Sequence, residues 1–235
     1  MIYAAILAGG KGERMGNGLP KQFMEVCGKP VLYYSVRRFC AVQEVDRIIV
    51  SCHPDHINRA ARIVESLQAT GRIAVIEGGR TRHESFTNII GHIRNRGAAS
   101  GDKVLLHEAA RPLVHEDLIR EHIENLAHYD ATNTLFAAVD VMMVSCNGMF
   151  IEGVFSKKDI YHGQGPQGYD LTTLLHVLDH EISASDLRSE LDLCALYVRS
   201  RRTVKIVQGS EKLFKITYPN DLGLLEYYLR KDTPS

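Results

Sequence analysis

Four apolar runs in the first half of the chain, "IYAAIL", "RIIVSC", "IAVIEGG" and "KVLLH", each give way to a stretch whose apolar residues recur at helical spacing. Short, nearly continuous apolar runs suit strands covered on both faces. The helical stretches are "PVLYYSVRRFCAV", opened by Pro30, then "INRAARIVESL". A third starts at about His83 with Phe86, Ile89, Ile90 and Ile93 on one face, and a fourth carries Ile119, Ile123 and Leu126. Thr81 and Glu84 have the spacing of a capping box at the start of the third helix. Strand and helix in alternation are joined by right-handed crossovers. The expectation is therefore an α/β fold, a mostly parallel sheet with helices on both faces. At 235 residues the chain suits a single domain over 1–235.

The rhythm breaks at "VMMVSCNGMFIEGVF", where Asn147-Gly148 is a strong hairpin signal with strand-like sequence on either side. An excursion of this kind, here about 140–162, serves either as an arm for a partner subunit or as an ordinary edge hairpin. The chain then returns to a strand, "TVKIV", and a closing helix, "NDLGLLEYYLR".

Composition narrows the function. Lys+Arg and Asp+Glu both number 28, so the basic excess of a nucleic-acid-binding protein is missing. No apolar run is long enough to cross a membrane, and "MIYAAILAGG" lacks the basic start of a signal peptide. The five cysteines are scattered and never form a C-x-x-C pair, which fits thiols in a reducing, cytoplasmic setting.

Ligands of open α/β sheets sit beyond the carboxyl ends of the strands. The apolar runs lead there into Gly9–Arg14, Gly78–Arg82 and His107–Arg111, three polar loops that each carry arginine. The first, "LAGGKGERMG", has two readings. It is a phosphate bed in which backbone N–H groups approach an anion that Lys11 and Arg14 neutralise, or a turn that needs glycine only for its backbone angles. It is not the dinucleotide fingerprint, because Met15 holds the third glycine position and no acid ends the second strand. Nor does it close on the Gly-Lys-Ser/Thr of a P-loop. His176 and His180 lie four apart without a third ligand, and with His53 and His56 they read as ordinary histidines.

"LAGGKGERMG…LPKQF" resembles the polyol-phosphate cytidylyltransferases, both the methylerythritol-phosphate enzymes of isoprenoid synthesis and the ribitol-phosphate enzymes of teichoic-acid and capsule synthesis. "GGRTRHES", "HEAARPLV", "YHGQGPQGY" and "KITYPNDL" continue the resemblance in order, from Leu7 to Leu222. It implies a Rossmann-like, GT-A-like nucleotidyltransferase fold with a β-hairpin dimerisation arm. It also implies attack by a sugar-phosphate oxygen on the α-phosphorus of CTP. A phosphate monoester is already largely dianionic near neutrality, so such a site depends on cations rather than on a strong base.

On the matching positions, Arg14, Lys21 and Lys215 carry the catalysis on the triphosphate. Ala8, Gly9, Gly10, Lys11, Gly12, Gly79, Arg80, Ser85 and Arg111 hold the nucleotide. Mg²⁺ falls to Glu108 and Asp221, the first standing where relatives have aspartate. The acceptor falls to Lys157, Gln164 and Gly165, where relatives carry an arginine in the arm and a threonine before Pro-Gln. The arm makes a homodimer, with Lys157 or Lys158 completing the other subunit's pocket.

Leu7-Ala8-Gly9-Gly10 and Gly163-Gln164 look more like the ribitol-phosphate branch. The expected acceptor is therefore D-ribitol 5-phosphate, with Gln164 and His162 as partners for its hydroxyls. Methylerythritol phosphate is the alternative, and a non-catalytic nucleotide-binding protein on the same fold is the competing class.

Overall fold

The computed structural model describes residues 1–10, 12, 15, 18–69, 71–181 and 192–231. In chain order the elements are β1 (Ile2–Ala8), β2 (Glu25–Val26), β3 (Lys29–Pro30), α1 (Val31–Ala41), β4 (Arg47–Cys52), α2 (Ile57–Glu65), β5 (Ile73–Glu77) and α3 (Arg82–Arg94). There follow β6 (Lys103–Glu108), α4 (Glu116–Asn125), β7 (Ala131–Ala137), β8 (Met142–Val144), β9 (Gly153–Phe155) and β10 (Tyr161–Asp170). The chain then passes through α5 (Leu171–His176), α6 (Leu193–Arg199), β11 (Lys205–Gln208) and α7 (Asn220–Lys231). No helix among the described residues is long and apolar enough to cross a membrane.

Seven strands form one sheet in the order β11-β7-β10-β6-β1-β4-β5. Only β10 runs against its neighbours, pairing antiparallel with β6 and β7, while the other pairings are parallel. This is the expected mostly parallel sheet. Two apolar layers cover it. One centres on Leu32, Val36 and Phe39 of α1 and the outward residues of β1 and β4, the other on α3, α5 and α6. Burying Phe86, Ile89, Ile90 and Ile93 of α3 contributes about 1.5–3 kcal/mol for each side chain. Its Thr81 cap, whose Oγ1 accepts from Glu84 N at 3.0 Å, adds only about 1 kcal/mol. Packing holds the helix, and the cap sets where it starts.

β10 has no strand pattern in its sequence, "YHGQGPQGYD", yet it lies between two strands. Its register with β7 shifts between Gly163 and Gln167, where Pro166 has no N–H to offer the ladder. A buried relay holds this kink. Thr134 Oγ1 donates to the Pro166 carbonyl at 2.8 Å, so it accepts from His122 Nε2 at 2.7 Å. His122 Nδ1 is then left to accept from Thr132 Oγ1 at 2.7 Å. That wiring requires a neutral imidazole.

Burial pushes the His122 pKa down to about 3 and that of His107 down to about 4. Unfolded, both take a proton below the ordinary histidine value, whereas folded they do not. Their contribution is complete above about pH 6.5 and is lost as pH falls towards 4, by about 1.4 kcal/mol per pH unit for each histidine. Chemical denaturation at pH 7.0, 6.0 and 5.0 should show this decline. A flat profile would mean that neither ring is held neutral.

The hairpin differs from expectation at its tip. Asn147-Gly148 is not a two-residue turn. β8 and β9 pair only from Val144 to Gly153, across an intervening loop of 145–152. The Asn147 side chain accepts from Met149 N at 2.8 Å and from Phe150 N at 3.1 Å, a local Asx arrangement that competes with a tight hairpin. The ribbon is also a separate sheet, not an edge of the main one.

Candidate active site

Beyond the carboxyl ends of β1, β4, β5 and β6 lies a cleft of about 960 Å³. All three loops singled out above contribute to it: Ala8, Gly9, Gly10 and Gly12 after β1, Gly78 to Arg82 after β5, and Glu108 to Ala110 at the end of β6. Lys21, Ser85 and Lys215 also line it, so the anion-bed reading of the glycine turn acquires cations around it. Lys11 and Arg14 lie outside the described residues.

The charged centre is Glu108. Its Oε1 is 2.8 Å from Lys215 Nζ and 3.6 Å from Arg82 Nε, and its Oε2 is 3.2 Å from Arg111 Nε. Burial by itself would raise the pKa of this carboxyl. Lys215, then Arg111 and Arg82, overcome that and bring it down to about 2, so Glu108 is ionised throughout the physiological range. The cluster is net positive, which suits a site for polyanions.

Arg111 was expected to touch the nucleotide, but it does not line the cleft. Besides Glu108, it donates to Leu213 O at 2.7 Å and to Gly163 O at 3.3 Å. The guanidinium thereby ties the end of β6 to the kink of β10 and to the segment that leads into Lys215. Each of its three nitrogens thus has a protein acceptor.

The second loop is fastened to α3. Ser85 Oγ donates to Thr81 O at 2.8 Å and accepts from Gly79 N at 3.0 Å. Ser85 thus shapes the Gly79 backbone from within the cleft wall. Arg80 points outward with 92% of its side chain exposed, and its backbone N–H donates to Glu84 Oε2 at 2.8 Å.

The residues expected at the acceptor are not gathered in the cleft of a single chain. Lys157 sits on the exposed arm, with Nζ 3.4 Å from Val139 O. Gln164 spends both ends of its amide on Ser210, donating to the carbonyl at 2.7 Å and accepting from the N–H at 3.2 Å. Gly165 is buried, and a side chain there would meet His107 Nδ1 at 3.4 Å.

The two carboxylates expected to share Mg²⁺ do not fit that task as they stand. Both Glu108 oxygens face cations. Asp221 does not line the cleft, and its Oδ2 accepts from Thr217 N at 2.7 Å and Tyr218 N at 2.8 Å. It fastens the turn that enters α7. No group of three or more metal-ligating side chains occurs among the described residues. The rings of His176 and His180 lie 5.0 Å apart and tilted, and His176 faces Glu181 at 3.3 Å.

The structure adds lining residues to which the sequence reading gave no site role: Gln22, Pro54, Arg82 and Thr217, and His53, which was read as an ordinary histidine. Gln22 follows Lys21 directly, and His53 and Pro54 follow the apolar run of β4. Position after a strand was the available signal for His53, Pro54 and Arg82, and membership of the motifs "LPKQF" and "KITYPNDL" that for Gln22 and Thr217.

Comparison with known proteins agrees with this geometry. The family model described as IspD, 2-C-methyl-D-erythritol 4-phosphate cytidylyltransferase, matches residues 2–231. Among solved structures, 4-diphosphocytidyl-2C-methyl-D-erythritol synthase from Anaerococcus prevotii is 25% identical, with a TM-score of 0.80 over 98% of this chain and 96% of its own. The Francisella tularensis 2-C-methyl-D-erythritol 4-phosphate cytidylyltransferase is 24% identical, with a TM-score of 0.81 over 96% and 98%. The Thermus thermophilus enzyme of the same name is 23% identical, with a TM-score of 0.73 over 98% and 100%. With a family match over nearly its whole length and a cation-lined cleft beyond the strand ends, this chain belongs to the 2-C-methyl-D-erythritol 4-phosphate cytidylyltransferase (IspD) family and is a cytidylyltransferase.

Proposed function

We propose that this enzyme transfers CMP from CTP to 2-C-methyl-D-erythritol 4-phosphate. A phosphate oxygen of the acceptor forms the new bond to the α-phosphorus, and the bond from that phosphorus to the bridging oxygen breaks to release pyrophosphate. The observation that carries the acceptor is the family match over 2–231. The ribitol expectation loses one of its two hydroxyl partners. It relied on Gln164 and His162, and the Gln164 amide is engaged at both ends by Ser210.

The nucleophile arrives ionised, so the chain's own task is to hold two polyanions together and to follow charge onto the leaving group. Lys21 and Lys215 are the residues for this, with Glu108 orienting Lys215 until phosphate replaces it. A divalent cation, Mg²⁺ in this reading, would neutralise further phosphate charge. It would be held chiefly by the substrates, since carboxylates are scarce among the described residues of the cleft.

The test is kcat/KM for pyrophosphate release with CTP, for methylerythritol phosphate and for ribitol 5-phosphate, with Mg²⁺ and with a chelator. Methylerythritol phosphate should be preferred by about tenfold or more, and the chelator should silence the reaction. A preference for ribitol 5-phosphate would overturn the acceptor.

The enzyme also acts as a homodimer in this reading. The arm exposes Met142, Met143, Met149, Phe150, Ile151, Val154 and Phe155, more contiguous apolar surface than a monomer usually leaves in water. Light scattering should give twice the 26.3 kDa chain mass. A single-chain mass at micromolar concentration would remove the dimer.

A further inference from the structure

The turn after β1 combines glycines, which make a backbone pliable, with a task that needs it rigid. Gln22 resolves that conflict. Its side chain is 2% exposed, and Nε2 donates to Ala8 O at 2.6 Å and to Gly10 O at 2.9 Å. Both partners are carbonyls, so the nitrogen of the amide must be the end that faces them. One side chain thereby holds two carbonyls of the glycine turn.

The peptide unit is planar, with C=O and N–H on opposite sides. Tying the Ala8 carbonyl to Gln22 therefore also sets the direction of the Gly9 N–H. The anchor itself is firm. Gln22 lies in the short helical turn Lys21–Phe23. Phe23 N donates to Pro20 O at 2.9 Å, and the buried Phe23 ring packs in a tilted arrangement 5.0 Å from His56. The same turn brings Lys21 to the cleft.

We propose that Gln22 is a positioning residue for the nucleotide, locking the backbone from Ala8 to Gly10 into the shape that receives CTP. The inference rests on the CTP reading above and goes beyond it by giving the buried amide, not glycine alone, the role of organising the bed. Preorganised N–H groups bind an anion without the cost of ordering the loop.

The experiment compares Gln22→Met and Gln22→Glu with the unaltered enzyme, measuring the CTP dissociation constant by calorimetry, acceptor KM at saturating CTP, and Tm. Methionine fills the volume but donates nothing, whereas glutamate would turn a carboxylate on two carbonyl oxygens. CTP affinity should fall about tenfold for Gln22→Met and about a hundredfold for Gln22→Glu. Acceptor KM should stay within about twofold, because the amide acts on the nucleotide turn only.

Unaltered CTP affinity in Gln22→Met would overturn the inference, since packing alone would then suffice. So would an acceptor KM that rises as much as the CTP constant. If Gln22→Glu does not fold, Gln22→Met, apolar in a buried place, decides by itself. Failure of the unaltered enzyme to bind CTP would overturn the nucleotide reading and this inference with it.

Discussion

Replacing Lys215 with Met should lower kcat/KM for pyrophosphate release by about a thousandfold, the size expected when a cation poised for transition-state charge is lost. In the free enzyme Lys215 is bonded to Glu108 at 2.8 Å, so the substitution has two consequences that must be separated. It removes a cation proposed to hold the triphosphate, and it takes from a partly buried carboxylate the strongest of its three positive partners. Leaving one partner of a partly buried pair uncompensated costs stability, on the order of 3 kcal/mol, reduced here because Arg111 and Arg82 remain.

The double variant Lys215→Met, Glu108→Gln removes the surplus negative charge. It should regain most of the lost stability, read as the midpoint of chemical denaturation, while activity stays low. Recovery of activity in the double variant would show that Lys215 serves only as the counter-ion of Glu108.

The sheet's parallel half was legible because β1, β4 and β6 are buried on both faces and the edge strand β5 is half-buried on both, so all four appear as apolar runs. The start of α3 was legible because its capping is local, three residues apart. β10 was not. Its glycines and proline carry no pattern, and it is a strand only because β6 and β7 offer their edges to it. The arm's place along the chain could be read, but not its turn, since the Asn147 side chain draws the backbone into a longer loop.

At the site, the convergence of three loops follows from strand polarity and could be foreseen. The use of each side chain could not. Arg111 meets Leu213 across 102 positions and Lys215 meets Glu108 across 107, distances at which spacing in the sequence says nothing. Asp221 illustrates the opposite case. Its bonds to Thr217 and Tyr218 are local, within four residues at the entry to α7.

Gly79 carries the other large effect. A Cβ built on it would lie 2.1 Å from Glu84 Cβ and within 2.8 Å and 3.0 Å of the Glu84 backbone carbon and Cα. These atoms belong to the first turn of α3, which Phe86, Ile89 and Ile90 hold against the sheet, so the helix cannot yield and the loop must. As it moves it loses the Gly79 N–H bond to Ser85 Oγ at 3.0 Å, and the cleft wall beside the nucleotide shifts with it. Gly79→Ala should therefore raise KM for CTP by about a hundredfold, since displacement of about 1 Å in a binding group costs that much. The fall in Tm should be only several degrees, in keeping with overpacking of about 1–3 kcal/mol. Gly91→Ala is the control. It lies in the same helix with nothing within 4 Å of the added carbon, so it should gain about 0.5–1 kcal/mol from reduced backbone freedom and leave the KM for CTP unchanged. Equal CTP affinities in the two variants would mean that the loop after β5 does not form the nucleotide wall, whatever the clash costs in stability.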